Sequence, residues 1–298
     1  MLSDLVRDVT GRELPLPVPM FGLLVAAALL TTMWLTEREL KRLHGIGRIG
    51  AAFRWERNDA GVKVKEPVPP QELVTGLAVA MVAFGMIGAR LFHLLEYPQA
   101  FLDDPLGMIF TRGGFTIYGG LIFGLGAATV YAKRHGLPIR ILADALAPAL
   151  MLGYAIGRIG CEISGDGDWG IAANLALKPS WLPMWLWAQT YPNNIAGVLI
   201  QPPGVYPAPI YETMMSLVGF AILWSVRKHS FRSGWLFALF MVLSGVERFL
   251  IEQIRVNATV DFAGLAITQA EVVAVLFFIV GVAGLVLLSR RLPGLQQE

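Results

Sequence analysis

The sequence predicts an all-α integral membrane protein with seven transmembrane helices, and three observations lead there. Of 298 residues, 55% are hydrophobic and only 15% are charged, with a mean hydropathy of +0.58; soluble domains carry about 25% charged residues. The charge is unevenly placed, because 14–36, 73–89, 113–132 and 272–289 contain none. A helix of about 20 apolar residues crosses the hydrocarbon core. Collagenous, disordered, disulfide-stapled and DNA-binding classes are therefore excluded. The single cysteine, Cys161, rules out an intrachain disulfide framework and any multi-cysteine metal site.

Helix one is expected over 16–36. Residues 1–15 include Asp4, Asp8 and Glu13, unlike a positively charged leader, so this segment reads as a permanent anchor rather than a signal peptide. Helices two and three fall at 71–95 and 115–132. Helices four (139–159), five (208–226) and six (233–254) have short charge-free cores. They reach spanning length only with Asp144, Arg158, Glu212, Arg248 and Glu252 at or inside their ends. Helix seven is expected over 268–289. With no internal repeat or low-complexity tract, 1–298 reads as a single transmembrane domain.

Lys and Arg in the connections set the orientation. Segments 37–70, 133–140, 227–232 and 290–291 carry eight, three, three and two, sixteen in all. Segments 1–15, 96–114, 160–207 and 255–267 carry two, one, one and one, five in all. That places the N-terminus outside and the C-terminus in the cytoplasm of a multi-pass membrane protein. A long extracytoplasmic loop, 160–207, joins helices four and five. Its Trp169, Trp181, Trp185 and Trp187 suit an interfacial anchor near 180–190. The cytoplasmic stretch 45–70, with mixed charge, reads as solvated surface.

An arginine at mid-bilayer costs about 2.5–3.5 kcal/mol even on a lenient scale, so charges within spans need a reason. Helices two, four and six run outward and carry, in their later halves, Arg90 with His93 and Glu96, then Arg158, then Arg248 with Glu252 and Arg255. Helices three and five run inward and begin with Tyr118 and with Tyr211-Glu212. Five helices thus bring polar groups to the outer half of the membrane. Bland readings stand beside this one. Arg90 fits snorkelling to headgroups. Arg248 and Glu252, four apart, fit a neutralised structural pair. His93 fits plain packing, and Asp166-Gly167-Asp168 fits a turn as well as a divalent-ion site.

Guanidiniums converging at headgroup depth match a phosphate ester, whose oxygens suit their planar fork. Glycines at Gly113-Gly114 and Gly119-Gly120 let backbone approach a ligand closely, and amides near a helix start suit an anion. A phospholipid headgroup site follows, without a reaction. A transporter would place polar groups at the midplane on two repeated halves, and the sequence has neither feature.

At these same residues the chain resembles the prolipoprotein diacylglyceryl transferase family over roughly 16–290. The most specific piece is Gly157-Arg158-Ile159-Gly160 leading into Gly165-Asp166-Gly167-Asp168-Trp169-Gly170. Gly88-Ala89-Arg90, Tyr118-Gly119-Gly120-Leu121, Tyr206-Pro207-Ala208-Pro209-Ile210-Tyr211-Glu212 and Arg248-x-x-x-Glu252-x-x-Arg255 are the others. The chain departs from the family pattern at Tyr118 and Tyr206, where the family usually has histidines, and at Cys161, where it has asparagine. Phe21 replaces a tyrosine, and the acidic stretch holds one extra residue. These departures mark a divergent branch.

The resemblance implies transfer of the sn-1,2-diacylglyceryl group from phosphatidylglycerol to the lipobox cysteine of prolipoprotein signal peptides, in the bacterial cytoplasmic (inner) membrane. It implies Arg158 and Arg248 as catalytic groups on the phosphate and puts Tyr118 at the position of the proton acceptor; His93, one turn beyond Arg90, is the alternative acceptor. Arg90, Gly119, Gly120, Asp166, Gly170, Tyr211, Glu212 and Glu252 complete the implied substrate site. No cofactor and no metal is expected, nor a nucleic-acid partner. A lipid-binding paralogue and a transferase using another lipid donor are the alternatives; a transporter is less favoured.

Overall fold

The computed structural model describes residues 20–58, 61–110, 114–257, 259–262 and 265–290. The expectations for 1–19, including Asp4, Asp8 and Glu13, and for Gly113 lie outside these residues. In chain order the protein forms α1 (Met20–Gly45), β1 (Ala52–Arg57) and β2 (Lys63–Val68). A turn at Pro70–Leu73 leads into α2 (Val74–Glu96), followed by the short α3 (Pro98–Asp103) and α4 (Pro105–Phe110). Next come α5 (Ile117–Arg134), α6 (Ile139–Ser164), α7 (Ala208–Val226) and α8 (Trp235–Glu252). β3 (Thr259–Phe262), β4 (Leu265–Thr268) and α9 (Gln269–Leu288) close the described chain.

Five segments are long and apolar enough to cross a membrane: Met20–Gly45, Pro70–Glu96, Ile139–Ser164, Ala208–Val226 and Gln269–Leu288. Helices α5 and α8 also sit where spans are expected. Each is only 18 residues long; α5 ends in Lys133 and Arg134, and α8 carries Glu247, Arg248 and Glu252. Two helices overrun their expected ends. The charged segment after α1's apolar stretch consists largely of good helix formers, and an Arg42–Glu39 pair one turn apart supports it. In α6, Ser164 donates to the Gly160 carbonyl at 2.8 Å. Glu162 there receives Gln189 Nε2 at 2.8 Å and the Tyr191 hydroxyl at 2.7 Å.

Two compact units are present, one of 1–35 with 143–298, the other of 36–142. In the first, Ala147, Met151, Leu223 and Leu236 form a buried apolar core joining α6, α7 and α8. Asp144, near the start of α6, accepts the Gly234 amide at 2.6 Å and the Phe237 amide at 2.9 Å. It thereby satisfies free N–H groups at the start of α8, and it aligns the two helix starts. Thr32 of α1 donates to the Ala149 carbonyl at 3.2 Å, while Phe21 lies against Gly160, so α1 runs antiparallel to α6. α9 packs on α8 through small residues, since a Cβ at Gly245 or Gly281 would strike backbone of the facing helix. A capping box, Thr268 with Glu271, starts α9.

In the second unit α2 and α5 lie in close contact. A Cβ at Gly88 would collide with the Gly119 carbonyl and Phe123, and one at Gly119 with the Gly88 carbonyl and Phe92. Small residues are the usual means of bringing helices together in lipid, where no hydrophobic drive exists between them. The hairpin pairs Phe53 with Pro67, Trp55 with Lys65 and Arg57 with Lys63. That face meets the end of α5: the Phe53 amide donates to the His135 carbonyl at 2.8 Å, and Trp55 Nε1 to the Arg134 carbonyl at 3.3 Å. The stretch 45–70 is therefore a folded hairpin, and most of its strand residues are solvent-exposed, as expected of solvated surface.

Candidate functional site

The site of the first unit grows from α6. Tyr154 and Arg158 stand one turn apart, with the guanidinium 6.0 Å from the ring centre. Arg158 Nη1 donates to Asp168 Oδ2 at 2.5 Å, and Nη2 pairs with Glu212 Oε2. Glu212 enters on the first turns of α7 and is buried; its other oxygen accepts the Tyr154 hydroxyl at 3.0 Å. Arg248 of α8 reaches the same oxygen at 3.6 Å, and Glu252, one turn on, at 2.7 Å. Asn257 then donates to Glu252 Oε1 at 2.7 Å.

A loop crossing closes the cluster. The Gly170 amide donates to the Tyr206 carbonyl at 2.8 Å, and Gly170 bridges to Arg255. A Cβ at Gly170 would sit 2.7 Å from the Ile254 carbonyl oxygen, so glycine is what lets these strands of chain meet. The crossing brings Asp168 Oδ1 within 2.5 Å of Arg255 Nη2. Burial opposes charge on Asp168, but hydrogen bonds from Arg255 and Arg158 prevail and hold its carboxyl down at about 2. Three guanidiniums and three carboxylates thus alternate in one chain: Arg255, Asp168, Arg158, Glu212, Arg248, Glu252. Removing water from such charges is costly, and alternation keeps each beside an opposite partner.

Arg158 and Arg255 keep donors in reserve, because the buried Nε of each has no hydrogen-bond partner among the described residues. Arg248, with 30% of its side chain exposed, is the most accessible guanidinium of the three. An anionic oxygen therefore meets the network first at Arg248, while the spare Nε donors of Arg158 and Arg255 lie buried behind it. Cys161, Asp166 and Asp168 place ligand atoms within 4.8 Å of one another. A divalent cation fits them poorly, since each Asp168 oxygen already holds a guanidinium. Asp166 instead accepts the Asp168 amide at 3.3 Å within the turn. Tyr211 donates to the Leu186 carbonyl at 2.6 Å, and Trp169 stacks on Tyr191 with centroids 5.2 Å apart. Both tie the loop down. Trp181 and Trp185 stay exposed near the turn Met184–Leu186.

The remaining sequence candidates belong to the second unit. Arg90 Nη1 donates to the Gly114 carbonyl at 3.0 Å and the Met108 carbonyl at 3.3 Å, with its guanidinium 4.4 Å from the Phe115 ring centre. Glu96 accepts the Thr116 hydroxyl at 2.7 Å. Gly114 adopts φ 78°, and the His93 ring fills the space where its Cβ would stand. Tyr118, on the first turn of α5, is 45% exposed. Gly119 and Gly120 meet α2 at Gly88, Gly85 and Ala89, so the close backbone approach they provide is between helices.

Three groups escaped the sequence reading. Tyr154 was marked by its spacing of one turn from Arg158. Glu247 was visible as the residue ending helix six's charge-free core; it is buried and accepts the Ser216 hydroxyl at 2.8 Å. The clasp of Tyr191 and Gln189 on Glu162 joins residues far apart in sequence, which nothing local announces.

The chain is similar to known proteins along most of its length. The family model described as prolipoprotein diacylglyceryl transferase matches residues 11–287. A relative from Bacillus cytotoxicus, called phosphatidylglycerol–prolipoprotein diacylglyceryl transferase, is 28% identical over 89% of this chain and 88% of its own. One of the same name from Shouchella clausii is 29% identical over 72% of this chain and 74% of its own. The second such enzyme of Streptomyces coelicolor is 30% identical over 76% of this chain and 69% of its own. With the arginine network and a family match across nearly the whole sequence, the chain belongs to the prolipoprotein diacylglyceryl transferase family.

Proposed function

We propose that this protein transfers the sn-1,2-diacylglyceryl group of phosphatidylglycerol to the lipobox cysteine thiol of prolipoprotein signal peptides. The observation that carries the reading is Arg158, buried between Asp168 and Glu212 with its Nε free, in a chain matched by the family model across 11–287. The cysteine thiolate attacks the glyceryl carbon bearing the phosphate ester. A carbon–sulfur bond forms, the carbon–oxygen bond breaks, and glycerol phosphate leaves with the electron pair. Charge on the phosphate grows from diester anion toward monoester dianion, so guanidiniums bind the transition state more strongly than the ground state. Arg158 and Arg248 take that role, with Glu212 and Glu252 orienting them.

A thiol with a free pKa of about 8.5 needs a proton acceptor or a cationic setting. Tyr118 and His93 are the two acceptors proposed; an imidazole titrates near 6.5, closer to working pH than a phenol near 10. The family resemblance adds Arg90, Gly119, Gly120, Asp166, Gly170 and Tyr211 as substrate-binding residues. The proposed setting is the bacterial cytoplasmic membrane, with α1, α2 and α5–α9 as seven spans of one transmembrane domain. The N-terminus lies outside and the loop 160–207 on the outer face, as the sixteen-to-five distribution of Lys and Arg favours.

Complementation tests this. A bacterial strain depleted of its own diacylglyceryl transferase should regain lipidated lipoproteins with the wild-type chain and not with Arg158→Gln. Normal expression without rescue would refute the proposal. It would favour the second reading, a lipid-binding paralogue or a transferase of another lipid, to which Tyr118, Cys161 and Tyr206 point.

A further inference from the structure

A groove runs along the second unit between α2 and α5, away from Arg90 and Tyr118. It encloses about 490 Å³ and is lined on its apolar length by Phe84, Ile122, Gly126 and Val130, ending at Arg134 and His135. Phe84, Ile122 and Val130 are each about half exposed, at 51%, 55% and 50%. The polar end is built by the hairpin. Besides the Phe53 and Trp55 bonds to the last carbonyls of α5, His135 Nδ1 lies 2.6 Å from the Phe53 carbonyl oxygen, and Tyr131 stacks on the imidazole at 4.2 Å. Those carbonyls form the negative end of a helix, which would repel an anion; here donors from β1 occupy them. The Arg134 guanidinium itself has no ion pair or hydrogen bond among the described residues. Lys65 adds positive charge nearby, 5.1 Å from the Trp55 ring centre.

We infer that this groove is a second phospholipid site, separate from the transfer site, holding an anionic phospholipid with its phosphate on Arg134 and one acyl chain along Phe84, Ile122, Gly126 and Val130. An apolar trough as long as several helix turns, closed by an unpaired guanidinium at one end only, has the polarity of a single lipid molecule. The basic, aromatic hairpin face suits a headgroup layer. Arg134 lies roughly 24 Å from Tyr118 along a helix rising about 1.5 Å per residue, so a phosphate bound here is remote from Tyr118. The lipid would brace α2 against α5 and remain unreacted. The assignment of that end to the cytoplasmic leaflet rests on the proposed orientation; the groove and its cation do not.

Native mass spectrometry of the full chain in mild detergent tests the inference, counting lipids retained with dioleoylphosphatidylglycerol, dioleoylphosphatidylcholine or inorganic phosphate. Arg134→Gln removes the charge, and Arg134→Lys restores it. Gly126→Leu fills the trough without a clash, since no atom lies within 4 Å of a Cβ there. The wild type and Arg134→Lys should hold one more phosphatidylglycerol than Gly126→Leu, and Arg134→Gln should bind it about fivefold more weakly. Phosphatidylcholine should not fill the site, and inorganic phosphate should not displace the lipid. Equal phosphatidylglycerol retention in wild type, Arg134→Gln and Gly126→Leu would overturn the inference, as would equal retention of phosphatidylcholine or displacement by phosphate alone. Lipid held at Arg134 by a chain that transfers nothing would sink the transferase proposal and leave this site standing.

Discussion

Helices α6, α7 and α8 meet around charge, whereas α2 and α5 meet around bare backbone. In the first unit Arg158, Glu212, Arg248 and Glu252 form a buried ionic chain at the helix junction. In the second, Gly88 and Gly119 set their carbonyls against each other's Cα. Both solve the same difficulty, that lipid gives helices no hydrophobic reason to associate. Glycine contact solves it cheaply and creates no chemistry. The ionic chain is costly to desolvate and is not the cheapest way to join helices, so its presence favours a functional use.

Breaking the ionic chain should have the largest effect. Arg158→Gln leaves Glu212 buried beside an amide and should cost about 3–5 kcal/mol in unfolding measured in detergent. Transfer to a lipobox peptide should fall at least about 100-fold; full activity in this variant would make the network purely structural. Next, Tyr118→Phe and His93→Gln ask whether the second unit takes part in the chemistry. Loss of the proton acceptor should slow thioether formation about 100-fold or more in one of the two, and unaltered rates in both would confine catalysis to the first unit. Gly119→Leu drives a side chain into Gly88 and Phe92 and should cost about 1–3 kcal/mol of stability, read as a lowered melting temperature.

The smallest effect is one of pH. The Asp168 carboxyl is held at about 2 by its two arginines, below the ordinary value near 3.9. Its stabilising contribution is complete above about pH 4 and is lost as pH falls through 2. Unfolding of the wild type should therefore steepen on acidification across that window. Asp168→Asn should remove this part of the slope, and an unchanged slope would show that the contact with Arg158 and Arg255 is weaker than its geometry.

Helix positions were plainest at 14–36, 73–89, 113–132 and 272–289, where lipid's demand for a long charge-free run is met; α6, α7 and α8 had only short bare cores to mark them. The ends were not legible. α1 continues to Gly45 through residues that are charged yet helix-forming, and α6 continues to Ser164 because Glu162 finds Tyr191 and Gln189 in a distant loop. The hairpin of β1 and β2 escaped notice because its alternation is short and its charge mixed. For the site, Arg158, Arg248, Glu212 and Glu252 stood out as expensive residues in spans. Which carboxylate faces which guanidinium was not legible, because Asp168 is brought to Arg255 only by the Gly170 crossing.

Asp144 fixes more than a helix start. It seats the first turn of α8 beside the second turn of α6, and Arg158 lies as many residues beyond Asp144 as Arg248 lies beyond Gly234. The two guanidiniums consequently arrive at one height, on either side of Glu212. A slip of a single turn would displace one of them by about 5.4 Å, further than a guanidinium can stretch to recover its carboxylate. A carboxyl at the far end of the bundle thus acts as the zero mark from which the reach of both arginines is measured.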